Sequence, residues 1–143
     1  MEKINLEIII NANLPKVWEH WSNPTSIQGW AFAADTWECP YAENDLRVGG
    51  RFLTRMSAKD RSEGFDFTGT YTNVVEHQSI SYIMDTADGE KEHRECTVTF
   101  IDLGNGSTKV TEEFSPEETN SIEMQKAGWQ AILENFKNYV VNH

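Results

Sequence analysis

Apolar and polar residues alternate at the start of the chain. Isoleucine or leucine occupies every second position from 4 to 10, and Asn5 and Glu7 stand between them. This period of two is typical of a strand that buries one face. We therefore predict that the first element is a strand over residues 4–10.

Two short helices are predicted next. Pro15 precedes apolar residues at 17, 18 and 21, a helical spacing with proline in the first turn. Asn23-Pro24 ends this helix, and a second helical turn is expected from Pro24 to about Gly29. These two helices would connect the first strand to the rest of the fold.

The middle of the chain is a series of short β-rich runs separated by turn residues. The runs lie near residues 36–42, 50–57, 65–76, 79–85, 94–102 and 107–114. Gly104-Asn105-Gly106 is the clearest hairpin signal, and Asp88-Gly89 marks another turn. Connections this short cannot make parallel crossovers, so the sheet should be antiparallel.

A long amphipathic helix is predicted from about Thr119 to Val141. Its apolar side carries Trp129, Ile132, Leu133, Phe136 and Val140. The order of elements is thus one strand, two short helices, six strands and one helix. We interpret this as a single α+β domain over residues 1–143, a length typical of one domain.

Charge and cysteine content narrow the classes of function. The net charge of −11 argues against nucleic acid or anionic membranes as partners, because both attract clustered lysine and arginine. Only Cys39 and Cys96 occur, too few for a disulfide framework, so free thiols are expected. The sequence shows neither a signal segment nor an apolar run of about 18 residues, which predicts a cytoplasmic protein.

Several landmarks in this order resemble one known family. They are Val17-Trp18, Pro24, Trp30, DLRVGGRF at 45–52, FTGTY at 67–71, TVTF at 97–100 and Gly128-Trp129. Together they resemble the homologues of the activator of the Hsp90 ATPase, within the START-like (Bet v 1-like, SRPBCC) superfamily. The resemblance extends from Ile4 to Val140, and the segment Asp45–Phe52 is its most specific part.

The resemblance implies the helix-grip fold, in which a bent seven-stranded antiparallel sheet closes over the last helix. It also implies a pocket for apolar molecules between sheet and helix. Strand alternation, together with the apolar stripe of the helix, then predicts the residues that line such a pocket. The predicted ligand-binding residues are Trp30, Phe52, Met56, Phe67, Tyr71, Tyr82, Met84, Phe100, Glu112, Trp129, Leu133 and Phe136. The alternative is that these residues simply pack a solid core.

Glu112 is the exceptional polar position, because alternation with Val110 and Phe114 turns its carboxyl group inward. One hypothesis is that it binds a ligand or acts as a general acid or base with a raised pKa. The alternatives are that it pairs with Arg55 or another base, or that a bulge reverses the register.

No residue pattern assigns a catalytic role. The histidines show no metal-ligand spacing, and we expect neither a metal nor a cofactor. His93 and Cys96 should point to opposite faces of a strand, and no GxSxG nucleophile motif occurs. Gly49-Gly50 lacks the pattern of a phosphate loop and is interpreted as a bend or bulge.

Three classes of function remain. The first is a carrier of a small apolar ligand, which requires only an enclosure and a few polar groups. The second is a cyclase or dehydratase type of enzyme that uses the same cavity, with Glu112, Tyr71 and Tyr82 as candidate acids or bases. The third, implied by the resemblance, is a domain that interacts with an Hsp90-type chaperone. The loop from Ala58 to Glu63 is a candidate lid.

Overall fold

The computed structural model describes residues 2–85 and 94–143. Its elements are β1 (Ile4–Ile10), α1 (Leu14–Ser22), α2 (Pro24–Ile27), β2 (Trp37–Asn44), β3 (Arg51–Ala58), β4 (Gly64–Val75), β5 (Ser79–Met84), β6 (Glu95–Gly104), β7 (Ser107–Phe114) and α3 (Ile122–Asn142). The predicted order of strands and helices is therefore confirmed. The predicted turn at Asp88-Gly89 lies outside the described residues.

The seven strands form one antiparallel sheet in the order β1-β7-β6-β5-β4-β3-β2. The strands from β2 to β7 each pair with the next strand in the sequence, as short hairpin connections allow. The exception is β1, which pairs with β7 at the other end of the chain. The sheet is curled, and α3 makes its most extensive contact with β1. This is the helix-grip arrangement that the family resemblance implied.

The turn before β3 explains the paired glycines. Gly49 has φ of +83°, in the left-handed region that favours glycine. A Cβ on Gly50 would lie 2.1 Å from the Asp45 carbonyl oxygen, so a side chain has no room there. Gly49 donates a backbone hydrogen bond to the Tyr71 carbonyl group at 2.9 Å, which ties the turn to β4. The glycines shape the strand start, as the sequence predicted.

Helix α3 begins three residues later than predicted, at Ile122. Ser121 is its N-cap and accepts a hydrogen bond from the Met124 amide at 3.1 Å. The buried Gln125 side chain bonds to backbone groups of Glu117 and Asn120 and holds the preceding residues in a loop. This contact replaces the extra helical turn that the amphipathic pattern suggested.

One half of the interior is tightly packed. It lies between α1, the second half of α3 and the strands β1, β6 and β7. Phe136 is fully buried, and its ring meets Trp30 and Trp21 at centroid distances of 4.8 and 5.0 Å. Phe100 meets Trp18 at 5.1 Å in the same way. Edge-to-face contacts of this kind stabilise aromatic cores beyond the area that they bury.

Candidate functional site

The other half of the interior contains a cavity of about 180 Å³. It lies between β2–β5, β7, the first half of α3 and the residues of the short helices. Its lining residues are Trp21, Ile27, Trp30, Ala31, Glu43, Asn44, Phe52, Thr54, Met56, Phe65, Phe67, Tyr71, Ile80, Tyr82, Glu112, Trp129 and Ile132. The interior is thus packed against the second half of α3 and hollow beside Trp129 and Ile132.

Aromatic side chains form most of the cavity wall on the side of the sheet. Phe52 is central, with its ring 5.4 Å from Phe67, 5.3 Å from Tyr71 and 4.9 Å from Tyr82, measured between centroids. Gly69 makes room for this ring, because a Cβ on Gly69 would lie 2.6 Å from it. A glycine in the middle of a strand is therefore required by the approach of an aromatic ring.

Trp129 forms the wall on the side of α3. Its indole stacks on the Phe114 ring with centroids 3.7 Å apart and planes only 7° from parallel. It also meets Phe67 edge to face at 6.2 Å. Trp129 thus joins the helix to the sheet and borders the cavity, the two roles that the sequence left open.

Glu112 faces inward, as strand alternation predicted. It pairs in register with Leu6 of β1 and Val98 of β6, and the only register shift between β6 and β7 lies between Asp102 and Gly104. The bulge that would have turned Glu112 outward is therefore absent from its part of the sheet. The residue is 6% exposed and borders the cavity.

The Glu112 carboxyl group is unpartnered among the residues that the structure describes. Arg55, the base proposed from sequence as its partner, instead pairs with Asp66 at 3.3 Å on the exposed face of the sheet. Burial raises the pKa of Glu112 to about 8, because a charged carboxylate loses its hydration there. At neutral pH the group is therefore mostly a neutral acid that can donate one hydrogen bond.

Two tyrosines supply further polar groups of the sheet wall. The Tyr71 hydroxyl donates to Asn44 Oδ1, and Asn44 Nδ2 donates in turn to the Ser22 carbonyl group at 2.8 Å. Tyr82 faces Cys96 across the β5–β6 pair. Burial raises the pKa of both tyrosine hydroxyls and of the Cys96 thiol above their ordinary values. All three groups are thus neutral at physiological pH.

The predicted binding residues divide into two groups. Those that border the cavity are Trp30, Phe52, Met56, Phe67, Tyr71, Tyr82, Glu112 and Trp129. Those that lie in the packed core outside its lining are Met84, Phe100, Leu133 and Phe136. The second group was placed at the cavity because it shares the inward face. Alternation identifies that face but not which part of the interior is filled.

The sequence prediction left out several lining residues. They are Trp21, Ile27, Ala31, Glu43, Asn44, Thr54, Phe65, Ile80 and Ile132. Strand alternation does place Thr54, Phe65 and Ile80 on the inward face of the sheet, although they were not among the predicted ligand-binding residues. Asn44 was missed because β2 was predicted to end at residue 42, whereas it continues to residue 44.

The candidate lid, Ala58 to Glu63, is a tight hairpin turn. Ala58 donates a backbone hydrogen bond to Glu63 at 2.9 Å, and Ser62 is fixed by the Asp60 carboxylate. Its residues do not contribute to the cavity lining, although Met56 and Phe65 on either side do. A lid role for this loop stays a prediction.

Metal binding and membrane spanning by a helix find little support in the described ranges 2–85 and 94–143. They hold no group of three or more His, Cys, Asp or Glu side chains placed to bind a metal ion. No described helix is long and apolar enough to cross a bilayer. His93, and with it the pairing of His93 with Cys96, lies outside the described residues.

The curled sheet, the gripped helix and the space between them define an α+β protein of the helix-grip class. A family model described as "Activator of Hsp90 ATPase homolog 1-like protein" matches residues 11–141. The chain belongs to this family, as the sequence landmarks indicated. No curated protein matches the chain significantly.

Solved structures of similar proteins support this assignment. An AHSA1-like protein from Aeromonas hydrophila is 41% identical, with a TM-score of 0.84 over 97% of this chain and 93% of that one. A protein from Cytophaga hutchinsonii is 43% identical, with a TM-score of 0.79 over 98% and 92%. A protein from Chromobacterium violaceum, at 23% identity and a TM-score of 0.84 over 97% and 96%, shares the fold.

Proposed function

We propose that the chain binds and carries a compact, largely apolar molecule in the cavity. The observation that supports this proposal is an aromatic cavity bordered by one buried acid, Glu112, that makes no hydrogen bond or ion pair with the described residues. Protein interiors are normally filled to crystal-like density, and a polar group buried without a partner costs free energy. A bound molecule would compensate for both.

The size of the cavity sets the size of the ligand. An engineered apolar cavity of about 150 Å³ in another protein holds benzene, so about 180 Å³ accommodates one ring and a short substituent. Burying the roughly 150–200 Å² of such a ring contributes about 4–5 kcal/mol at 25 cal/mol per Å². That contribution alone corresponds to a dissociation constant on the order of 0.1–1 mM.

Calorimetric titration with toluene, naphthalene and a long-chain fatty acid tests the proposal. We expect toluene to bind, naphthalene to bind more weakly and the fatty acid not to bind, because only the first matches the volume. Thr54→Leu places a larger side chain against the cavity and should weaken toluene binding. Thr72→Leu makes the same change at an exposed position of β4 and should leave binding unchanged. Failure of all three probes to bind would contradict the proposal.

The enzyme alternative is favoured by one observation, the raised pKa of Glu112. A carboxyl group that titrates near pH 8 beside Tyr82 has the character of a general acid or base for a cyclase or dehydratase reaction. In that case a bound molecule should be converted, and Glu112→Gln should abolish the conversion while binding persists.

The description of the family keeps a chaperone contact as a further alternative, which a pull-down with an Hsp90-type chaperone tests.

A further inference from the structure

The described residues that line the cavity include acidic but no basic side chains, and this difference bears on the charge of the ligand. Lysine, arginine and histidine are missing from its lining residues, all of which lie in the described part of the chain. Glu112 brings an inward carboxyl group, whereas the other lining acid, Glu43, is exposed and accepts a hydrogen bond from the Tyr41 hydroxyl on the outside. When Glu112 ionises, the cavity therefore gains a negative charge that no cation among the described lining residues balances.

The aromatic wall adds to this preference. Eight of the lining residues are Trp, Tyr or Phe, among them Trp30, Phe52 and Trp129. The faces of aromatic rings carry negative electrostatic potential and attract cations, most strongly when water is excluded. An anionic ligand would meet the negative faces of these rings, would repel Glu112 once that group is ionised, and would find no opposite charge among the described lining residues.

We propose that the ligand is a compact organic cation, with a ring-sized apolar body in the aromatic cavity and an ammonium group paired with Glu112. This inference rests on the proposed binding function and adds the charge of the ligand to it. The apolar body fills the space beside Phe52 and Phe67. The ammonium group forms an ion pair that none of the described residues makes with Glu112, and such charge-assisted hydrogen bonds are among the stronger ones in proteins.

Three probes that share one ring and differ in charge test this proposal. Benzylamine is a cation at neutral pH, benzyl alcohol is neutral and benzoate is an anion. We expect calorimetric titration of the wild-type protein to give an affinity for benzylamine at least about tenfold above that for benzyl alcohol, with benzoate weakest. Equal or stronger binding of benzyl alcohol or benzoate would overturn the inference and leave the proposed function standing. Absence of binding by all three would overturn both.

A pair of neighbouring variants locates the effect. Glu112→Gln should abolish the preference for benzylamine over benzyl alcohol. Glu113→Gln removes the same charge from the next residue of β7, whose side chain is exposed on the opposite face, and should change neither affinity. Loss of the preference for benzylamine in Glu113→Gln, or its retention in Glu112→Gln, would contradict the assignment.

The pH dependence of the wild-type protein gives a readout that does not depend on the folding of a variant. Affinity for benzylamine should rise between pH 6 and pH 8 as Glu112 gives up its proton, whereas affinity for benzyl alcohol should not. Among the residues that the structure describes, the titratable groups facing Glu112 are Tyr82 and Cys96, with Tyr71 further along the wall. Their pKa values are all raised, so they stay neutral in this range. A benzylamine affinity that is independent of pH would overturn the inference.

Discussion

Glu112 shows how one residue can link the stability of this fold to its chemistry. Its neighbours in the sheet, Leu6 and Val98, are apolar, and Glu112 itself is buried at the border of the cavity. The sequence predicted the direction of this side chain from strand alternation alone. The absence of a protein partner among the described residues could not be predicted, because Arg55 pairs with Asp66 through a contact between strands.

The raised pKa of Glu112 predicts a pH-dependent stability. In the unfolded chain the group ionises near its ordinary value of 4.5, whereas the folded protein keeps the proton up to about pH 8. The folded state therefore holds one more proton than the unfolded state between these pH values, and the free energy of unfolding falls by roughly 1.4 kcal/mol per pH unit as the pH rises from 4.5 to 8. Urea unfolding at a series of pH values should show wild-type stability falling relative to Glu112→Gln over this range. Parallel curves would contradict the burial of Glu112.

Replacing glycine by alanine should have opposite effects on stability at two positions, Gly69 and Gly128. Gly69→Ala should destabilise the protein by about 1–3 kcal/mol, because the new methyl group would overlap the Phe52 ring and the Ile83 carbonyl oxygen, both 2.6 Å away. Gly128→Ala should stabilise it by roughly 0.5–1 kcal/mol, because Gly128 lies inside α3 with no atom within 4 Å of the new Cβ. Chemical denaturation measures both, and a neutral Gly69→Ala would mean that Phe52 does not lie over β4.

At the scale of elements, α3 is attached to the sheet in two different ways. Its second half is buried in the packed core through Phe136, whereas its first half contacts the sheet through Trp129 and leaves the cavity beside it. The amphipathic pattern predicted the helix and its inward stripe but treated the stripe as uniform. Which residues of the stripe face empty space depends on how far the helix stands from each strand.

Because the two halves of α3 contact the sheet differently, truncating one aromatic residue in each half should reduce stability by different amounts. Phe136→Ala should lower the free energy of unfolding by about 3–5 kcal/mol, as is usual for a fully buried aromatic residue. Trp129→Ala should cost about 2–4 kcal/mol, since Trp129 is half-buried and part of its surface already faces the cavity. Urea denaturation of both variants checks the order. A loss well under about 1 kcal/mol for Trp129→Ala would show that its stack on Phe114 does not hold the helix.

At the scale of the molecule, the chain combines a solid half and a hollow half under one curled sheet. The order of elements, the antiparallel topology and the family followed from local patterns and landmarks, because short connections leave few topologies open. The division of the interior did not, because it arises from the packing of α1 and α2 against residues distant in sequence. This division is the physical basis for the proposed function.

The isoleucine and methionine methyl groups allow a direct test of this account by carbon-13 NMR. Ile27, Ile80, Ile132 and Met56 line the cavity, whereas Ile4, Ile8 and Ile10 lie in the packed core outside its lining and serve as internal controls. Titration with benzylamine should shift the first set saturably and leave the second set in place. Shifts that fall on the controls, or that do not saturate, would contradict a ligand site in the cavity.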